Sequence, residues 1–88
     1  MIKSDDIKAF QKTWAYFNPT GSYYMKTSKF MGFLMELPPP LGYKGITQIN
    51  ARSLRKIIYC LNIRDHEGKV YFPEVVWAIF HSIMGTND

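Results

Sequence analysis

The stretch FNPTGSYYMKTSKF, Phe17 to Phe30, decides how the chain is read. An aromatic precedes Asn18, oxygen-bearing side chains recur at alternate positions, and an apolar Met25 falls eight places in. That is the frame of a calcium-binding loop between two helices. Such a loop supplies about six to eight oxygens from its positions one, three, five, seven and nine and from a bidentate Glu at twelve, with Gly at six for the sharp turn. Counted from Asn18, position three is Thr20, five is Ser22, six is Tyr23 and twelve is Lys29. The loop has no carboxylate, and it carries Lys26 and Lys29. A lysine about 4 Å from a divalent cation repels it by about 2 kcal/mol in water, and by about 8 kcal/mol at an effective dielectric near 20. The frame therefore implies the shape of a metal loop without its chemistry.

The flanking sequence supplies the helices. Ser4 is a candidate cap, followed by Asp5 and Asp6 at the positive end of a helix dipole. Ile7, Phe10, Trp14 and Phe17 recur on one face, and Pro19 and Gly21 end the helix. Tyr23 to Lys26 reads as extended. Thr27 or Ser28 can cap a second helix with Phe30, Phe33, Leu34 and Leu37 on its apolar face, stopped by Pro38-Pro39-Pro40. PPPLGYKG reads as a linker, stiff at first and looser at Gly42 and Gly45.

The same plan then repeats. Thr47 is a candidate cap for a third helix with the stripe Leu54, Ile57, Ile58 and Leu61. RDHEGK turns around Gly68, and KVY is a second short extended piece. Pro73 suits the first turn of a fourth helix, on which Val76, Ile79, Phe80 and Ile83 point one way and which Gly85 and TND end. Met25 matches Val70 across a repeat of about 45 residues. Two helix–loop–helix units in tandem predict an all-α fold, a pair of degenerate EF-hands whose two loop strands pair at Met25 and Val70. The whole of 1–88 reads as one domain, with a first hand over 4–37, a linker over 38–46 and a second hand over 47–84.

The second loop is closer to a working one. From Ile63, position three is Asp65, five is Glu67, six is Gly68 and twelve is Glu74. Position one fails, because isoleucine offers no oxygen and Asn62 stands one residue early. Asp65, Glu67 and Glu74 are weak candidates for calcium or magnesium; otherwise they are solvated turn acids, with Glu74 favouring a helix start.

Composition excludes several functions. Among 88 residues, 47% are apolar, so disorder is excluded. The net charge is +4, but the basic residues are scattered, and even Arg52, Arg55 and Lys56 read as a solvated helix face rather than a nucleic-acid footprint. Cys60 stands alone, ruling out a disulfide framework or cysteine zinc site, and is expected to be a buried, inert thiol. His66 and His81 lack partners at metal-ligand spacing. No phosphate loop, GxSxG or carboxylate pair marks an enzyme. There is no run of ~18 apolar residues and no signal segment. Tyr43, Tyr59, Trp77 and Met84 lie off the main stripes, so they either widen the core or form a partner surface.

FQKTWAYFNPTGSYYMKTSKFMGFL, LPPPLGY and GKVYFPEVVWAIFHSIM, taken in that order and spacing, resemble the cytoplasmic C-terminal EF-hand domain of voltage-gated calcium channel α1 subunits, to which a sodium-channel domain is related. The likeness covers nearly all of residues 5–84. It implies a non-catalytic module on the cytoplasmic side of a multi-pass membrane protein, lying between the last membrane-spanning helix and an IQ helix that binds calmodulin. Such a module helps transmit calcium-dependent regulation through contacts with the IQ segment or intracellular linkers, and meets calmodulin only indirectly. Asn18 stands where the family frequently has Asp, and Tyr23 where the first loop would have glycine; both departures weigh against a calcium role. The rival expectation is a stand-alone EF-hand sensor or centrin-like adaptor that binds a target helix.

Overall fold

The computed structural model describes residues 2–84. It contains four helices and a two-stranded antiparallel ladder: α1 (Ser4–Phe17), β1 (Tyr24–Lys26), α2 (Thr27–Glu36), α3 (Ala51–Leu61), β2 (Lys69–Tyr71) and α4 (Phe72–Met84). Each strand lies in the loop between two helices, so the molecule is a pair of EF-hand-like units joined through their loops.

Local chemistry sets the helix ends, in places not where the sequence suggested. α1 is capped from Lys3, not Ser4: the Lys3 N–H donates to the Asp6 carboxylate at 2.8 Å. That is one half of a capping box, and Asp5 and Asp6 sit in the favourable first turn. Thr27 begins α2 rather than capping it, and neither it nor Ser28 is the N-cap, which is Lys26. α3 starts four residues beyond Thr47; its cap is Asn50, whose side chain accepts from Ser53 N–H at 2.9 Å. Asn62 ends α3 at φ 55°, a left-handed conformation that asparagine tolerates well. Asn62 is thus the stop signal of a helix. Gly85 and the polar tail, read as the end of α4, lie outside the described residues.

The segment after α2 is more ordered than its prolines and glycines suggest. Leu41 is buried, Tyr43 N–H donates to Leu34 O at 2.9 Å, and Lys44 N–H to Leu37 O at 3.0 Å. The chain folds back and satisfies carbonyls at the end of α2 that have no partner within the helix. Gly42 is not a loose joint. It is buried, and a Cβ there would stand 2.3 Å from the Leu37 carbonyl oxygen.

The core is an aromatic cluster extended by aliphatic residues. Phe33 is fully buried, with its ring centroid 5.2 Å from Phe10, 5.7 Å from Trp14 and 5.9 Å from Phe30. Phe72, the first residue of α4, reaches across to Trp14 at 4.9 Å and Phe10 at 5.5 Å, both edge to face. Edge-to-face pairs add about 0.5–1.5 kcal/mol each beyond area burial. This anchoring turns α4. Its buried residues are Val75 and Ile79, on one face with Phe72, while Val76 and Phe80 are partly buried and Ile83 is exposed. The stripe Val76–Ile79–Phe80–Ile83 is therefore corrected by part of a turn. Ile7 is likewise exposed rather than core, whereas Ile2, just before the cap, packs on the cluster. Cys60 is exposed, correcting the expectation of a buried thiol: the apolar side of α3 centres on Leu54, away from it.

Two variants test this packing. Trp14→Ala removes a side chain that is 5% exposed and whose indole N–H donates to Ser22 O at 3.2 Å; it is expected to cost about 3–5 kcal/mol in denaturant unfolding. Gly42→Ala forces the linker off α2 and is expected to cost about 1–3 kcal/mol. A denaturation midpoint unchanged from the parent chain would contradict either assignment.

Candidate functional site

The paired loops are the part of the molecule whose sequence pattern most suggests a site. β1 and β2 run antiparallel, with Tyr24 opposite Tyr71, Met25 opposite Val70 and Lys26 opposite Lys69. Met25 and Val70 are buried and close the top of the core. Two further backbone hydrogen bonds extend the ladder: Thr27 N–H to Gly68 O at 2.8 Å and Phe72 N–H to Tyr23 O at 2.7 Å. Each joins one helix start to the opposite loop.

In the first loop the oxygen-bearing side chains serve the loop itself. Asn18 accepts from the Thr20 hydroxyl and donates its amide to Ser22 O, which also takes the Trp14 indole N–H. The Ser22 hydroxyl accepts from Tyr24 N–H at 3.0 Å. Gly21, at φ 78°, supplies the bend. Position six, occupied by Tyr23, is exposed, and its ring lies 6.0 Å from Phe72.

The second loop is a tight turn rather than an open cradle. His66 and Lys69 exchange both backbone hydrogen bonds, at 2.7 and 3.2 Å. The two residues between them, Glu67 and Gly68, have φ of 55° and 86°, as a primed two-residue hairpin turn requires. Asp65 precedes the turn. One of its oxygens accepts from Gly68 N–H at 2.8 Å, and the other from the hydroxyl of Thr27, at the start of α2. These two hydrogen bonds, that from Thr27 first, hold the Asp65 carboxyl below the ordinary carboxylate value of 3.8. Glu74, in the first turn of α4, pairs with His66 Nε2 at 2.8 Å. Glu67 sits exposed at the turn's tip. Asp65, Glu67 and Glu74 are thus set in three different environments. Among the described residues no three His, Cys, Asp or Glu side chains are grouped so as to hold a metal ion.

The partner-surface candidates divide. Tyr43 is half-buried against the core, and burial pushes its phenol up from the ordinary tyrosine value. Tyr59 is 86% exposed and Trp77 and Met84 66% each. Trp77 lies against His81 with ring centroids 4.6 Å apart and the rings tilted by 33°. Trp77 and Ala78 also wall an open groove of about 490 Å³ against Leu61 and Ile63, between the end of α3 and the start of α4.

Sequence reading missed the Asp65–Thr27 and His66–Glu74 contacts. The repeat register hints at the first, by bringing the start of α2 beside the opposite loop; the second lies within one loop, between its fourth and twelfth places. It also passed over Phe72 as a core residue, although its place directly after the extended KVY fixes which way it points.

Fold and loops together define a class: a small all-α pair of EF-hand-like units that knit their loops with protein groups. A family model described as voltage-dependent L-type calcium channel, IQ-associated, matches residues 9–64. That span is well over half of the 88 residues and runs from α1 through α3. The chain belongs to this calcium-channel family. Comparison with curated proteins found no match.

The Asp65 geometry gives a pH prediction. A carboxyl whose value is lowered on folding contributes stability above its unfolded value, and that contribution is lost as pH falls through the folded one. Thermal melts of the chain and of Asp65→Ala are expected to differ most at neutral pH. The difference should shrink as pH drops below 3.8. A gap that persists unchanged into strong acid would show that the carboxylate is not the stabilising form.

Proposed function

We propose that the chain is a non-catalytic regulatory module of a voltage-gated calcium channel α1 subunit, built as a degenerate EF-hand pair and largely independent of calcium. The family match over residues 9–64 carries this reading. The loop chemistry supports its second half. In the first loop lysines stand at the ninth and twelfth places, and in the second Asp65 and Glu74 are engaged by Thr27, Gly68 and His66. The module acts by contact with the channel's IQ segment or intracellular linkers, at the cytoplasmic face of the membrane, and meets calmodulin through the IQ segment rather than directly. No described helix is long and apolar enough to cross a membrane. Tyr59, Trp77 and Met84, exposed apolar side chains on α3 and α4, are the contact residues this reading favours.

Two measurements on the purified chain test it. Titration with calcium to millimolar levels is expected to leave the melting temperature unchanged. A rise of many degrees at sub-millimolar calcium would favour a stand-alone sensor instead, since a ligand stabilises the state that binds it by mass action. A peptide spanning the parent channel's IQ segment is expected to bind. Trp77→Ala should weaken that binding about tenfold while shifting stability by no more than about 0.5 kcal/mol, as exposed substitutions do.

A further inference from the structure

The outer face of the ladder carries a feature the regulatory reading leaves unused. Side chains alternate across a strand. With Met25 and Val70 turned inward, Tyr24, Lys26, Lys69 and Tyr71 share the outer face as two cross-strand pairs, tyrosine on tyrosine and lysine on lysine. The tyrosine rings stack with centroids 4.8 Å apart. Both lysines are exposed and stand directly opposite one another, an arrangement that weakens pairing of the strands. Among the described residues the one ion pair within 4.0 Å joins His66 and Glu74, so neither ammonium has a carboxylate at that range. Of the nearby acids, Asp65 holds Thr27 and Gly68 and Glu74 holds His66, while Glu67 stands exposed at the tip of the turn without an ion pair to either lysine.

From this we infer that the outer face of the ladder is a docking site for an acidic peptide in extended conformation. One of its carboxylates bridges Lys26 and Lys69, and an apolar side chain two residues further along, on the same face of the peptide, lies over Tyr24 and Tyr71. The spacing fits. Two residues along a strand advance about 7 Å, and the lysine pair is two residues from the tyrosine pair on both strands. Charge favours a short peptide over an extended anionic surface such as a membrane or a phosphate backbone. Such a surface would also meet Glu67, exposed at the tip of the turn beside Lys69, whereas a peptide seated along the ladder does not. The inference stands apart from whichever channel segment the α3–α4 surface contacts, because it uses a different face.

The probe is a dye-labelled peptide, Gly-Ser-Glu-Glu-Ser-Phe-Ser-Gly, with a Gln-for-Glu version as control, read by fluorescence anisotropy and by backbone amide shifts of the full chain. Expected are shifts centred on Tyr24, Lys26, Lys69 and Tyr71, and at least tenfold weaker binding of the Gln peptide. Lys69→Glu should lose affinity at least tenfold while raising the melting temperature, because it replaces a like-charge pair opposite Lys26 with an ion pair. Loss of binding with a gain in stability separates a docking role from a merely structural one. Lys8→Glu, on the exposed side of α1, makes the same change in net charge and should retain affinity. Equal losses in Lys69→Glu and Lys8→Glu, absence of shifts at the ladder, or tight binding of phosphatidylserine vesicles that the peptide fails to displace would each overturn the proposal.

Discussion

Phe72 is the residue on which the two halves depend. Its ring packs edge to face on Trp14 and Phe10 of the first half, and its N–H donates to Tyr23 O. Directly before it comes β2, whose Val70 faces Met25 across the ladder. One short run, Val70 to Phe72, therefore joins the units by side-chain packing and by backbone hydrogen bonding together. A two-stranded ribbon is marginal in water unless a helix or core supports it, and the ring anchors the first turn of α4 beside the buried Val75 and Ile79.

Beside that clasp, the loops are held by hydrogen bonds from the protein's own groups. In a calcium-loaded pair the cation organises each loop by gathering oxygens. Here Asp65 receives Thr27 and Gly68, a two-residue turn closes at Glu67 and Gly68, and Asn18 and Ser22 satisfy their own loop. Each replacement is a hydrogen bond, individually worth only about 0.5–1.5 kcal/mol net. They fix loop geometry, while the aromatic core supplies most of the stability. On the proposed reading, a module so built lacks the calcium-dependent switch between closed and open helix pairs that sensor proteins use. On the reading proposed here, its contribution to a channel is a surface of constant shape.

The all-α plan, the four helices, the repeat and the opposed loop strands could be read from the sequence because each rests on strong local signals: proline stops, apolar spacing and a matched pair of extended tripeptides. Errors arose where tertiary contact outweighed those signals. Asn50 capped α3 in place of Thr47, since a helix starts where its first free N–H finds an acceptor, and Ser53 found Asn50. The face of α4 shifted to Val75 because Phe72 set its rotation. Gly42, read as a flexible joint, proved to be a close-packing glycine, a distinction that composition cannot make. The candidate acids were legible as residues but not as a site. Whether three carboxylates converge depends on the turn between them, and the positive φ of Glu67, a residue type that does not announce it, puts it at the exposed tip.

The first loop can now be explained in terms of charge. Natural sequences keep local features that disfavour folding mainly where function requires them. Two lysines opposed on a three-residue ladder are such a feature, since an acid at either place would pair with the other and cost the core nothing. Lys29, in the first turn of α2, adds a positive charge at the positive end of a helix dipole, again against local preference. A loop that had merely lost its metal would be free to accumulate neutral or acidic residues in these positions. In the first loop Lys26 and Lys29 instead reverse the sign, and Lys69 opposite Lys26 carries that charge across the ladder, while the second loop keeps Asp65, Glu67 and Glu74. The fold of the loop and the charge it presents thus answer to different constraints: the first to the Met25–Val70 clasp beneath it, the second to what binds above.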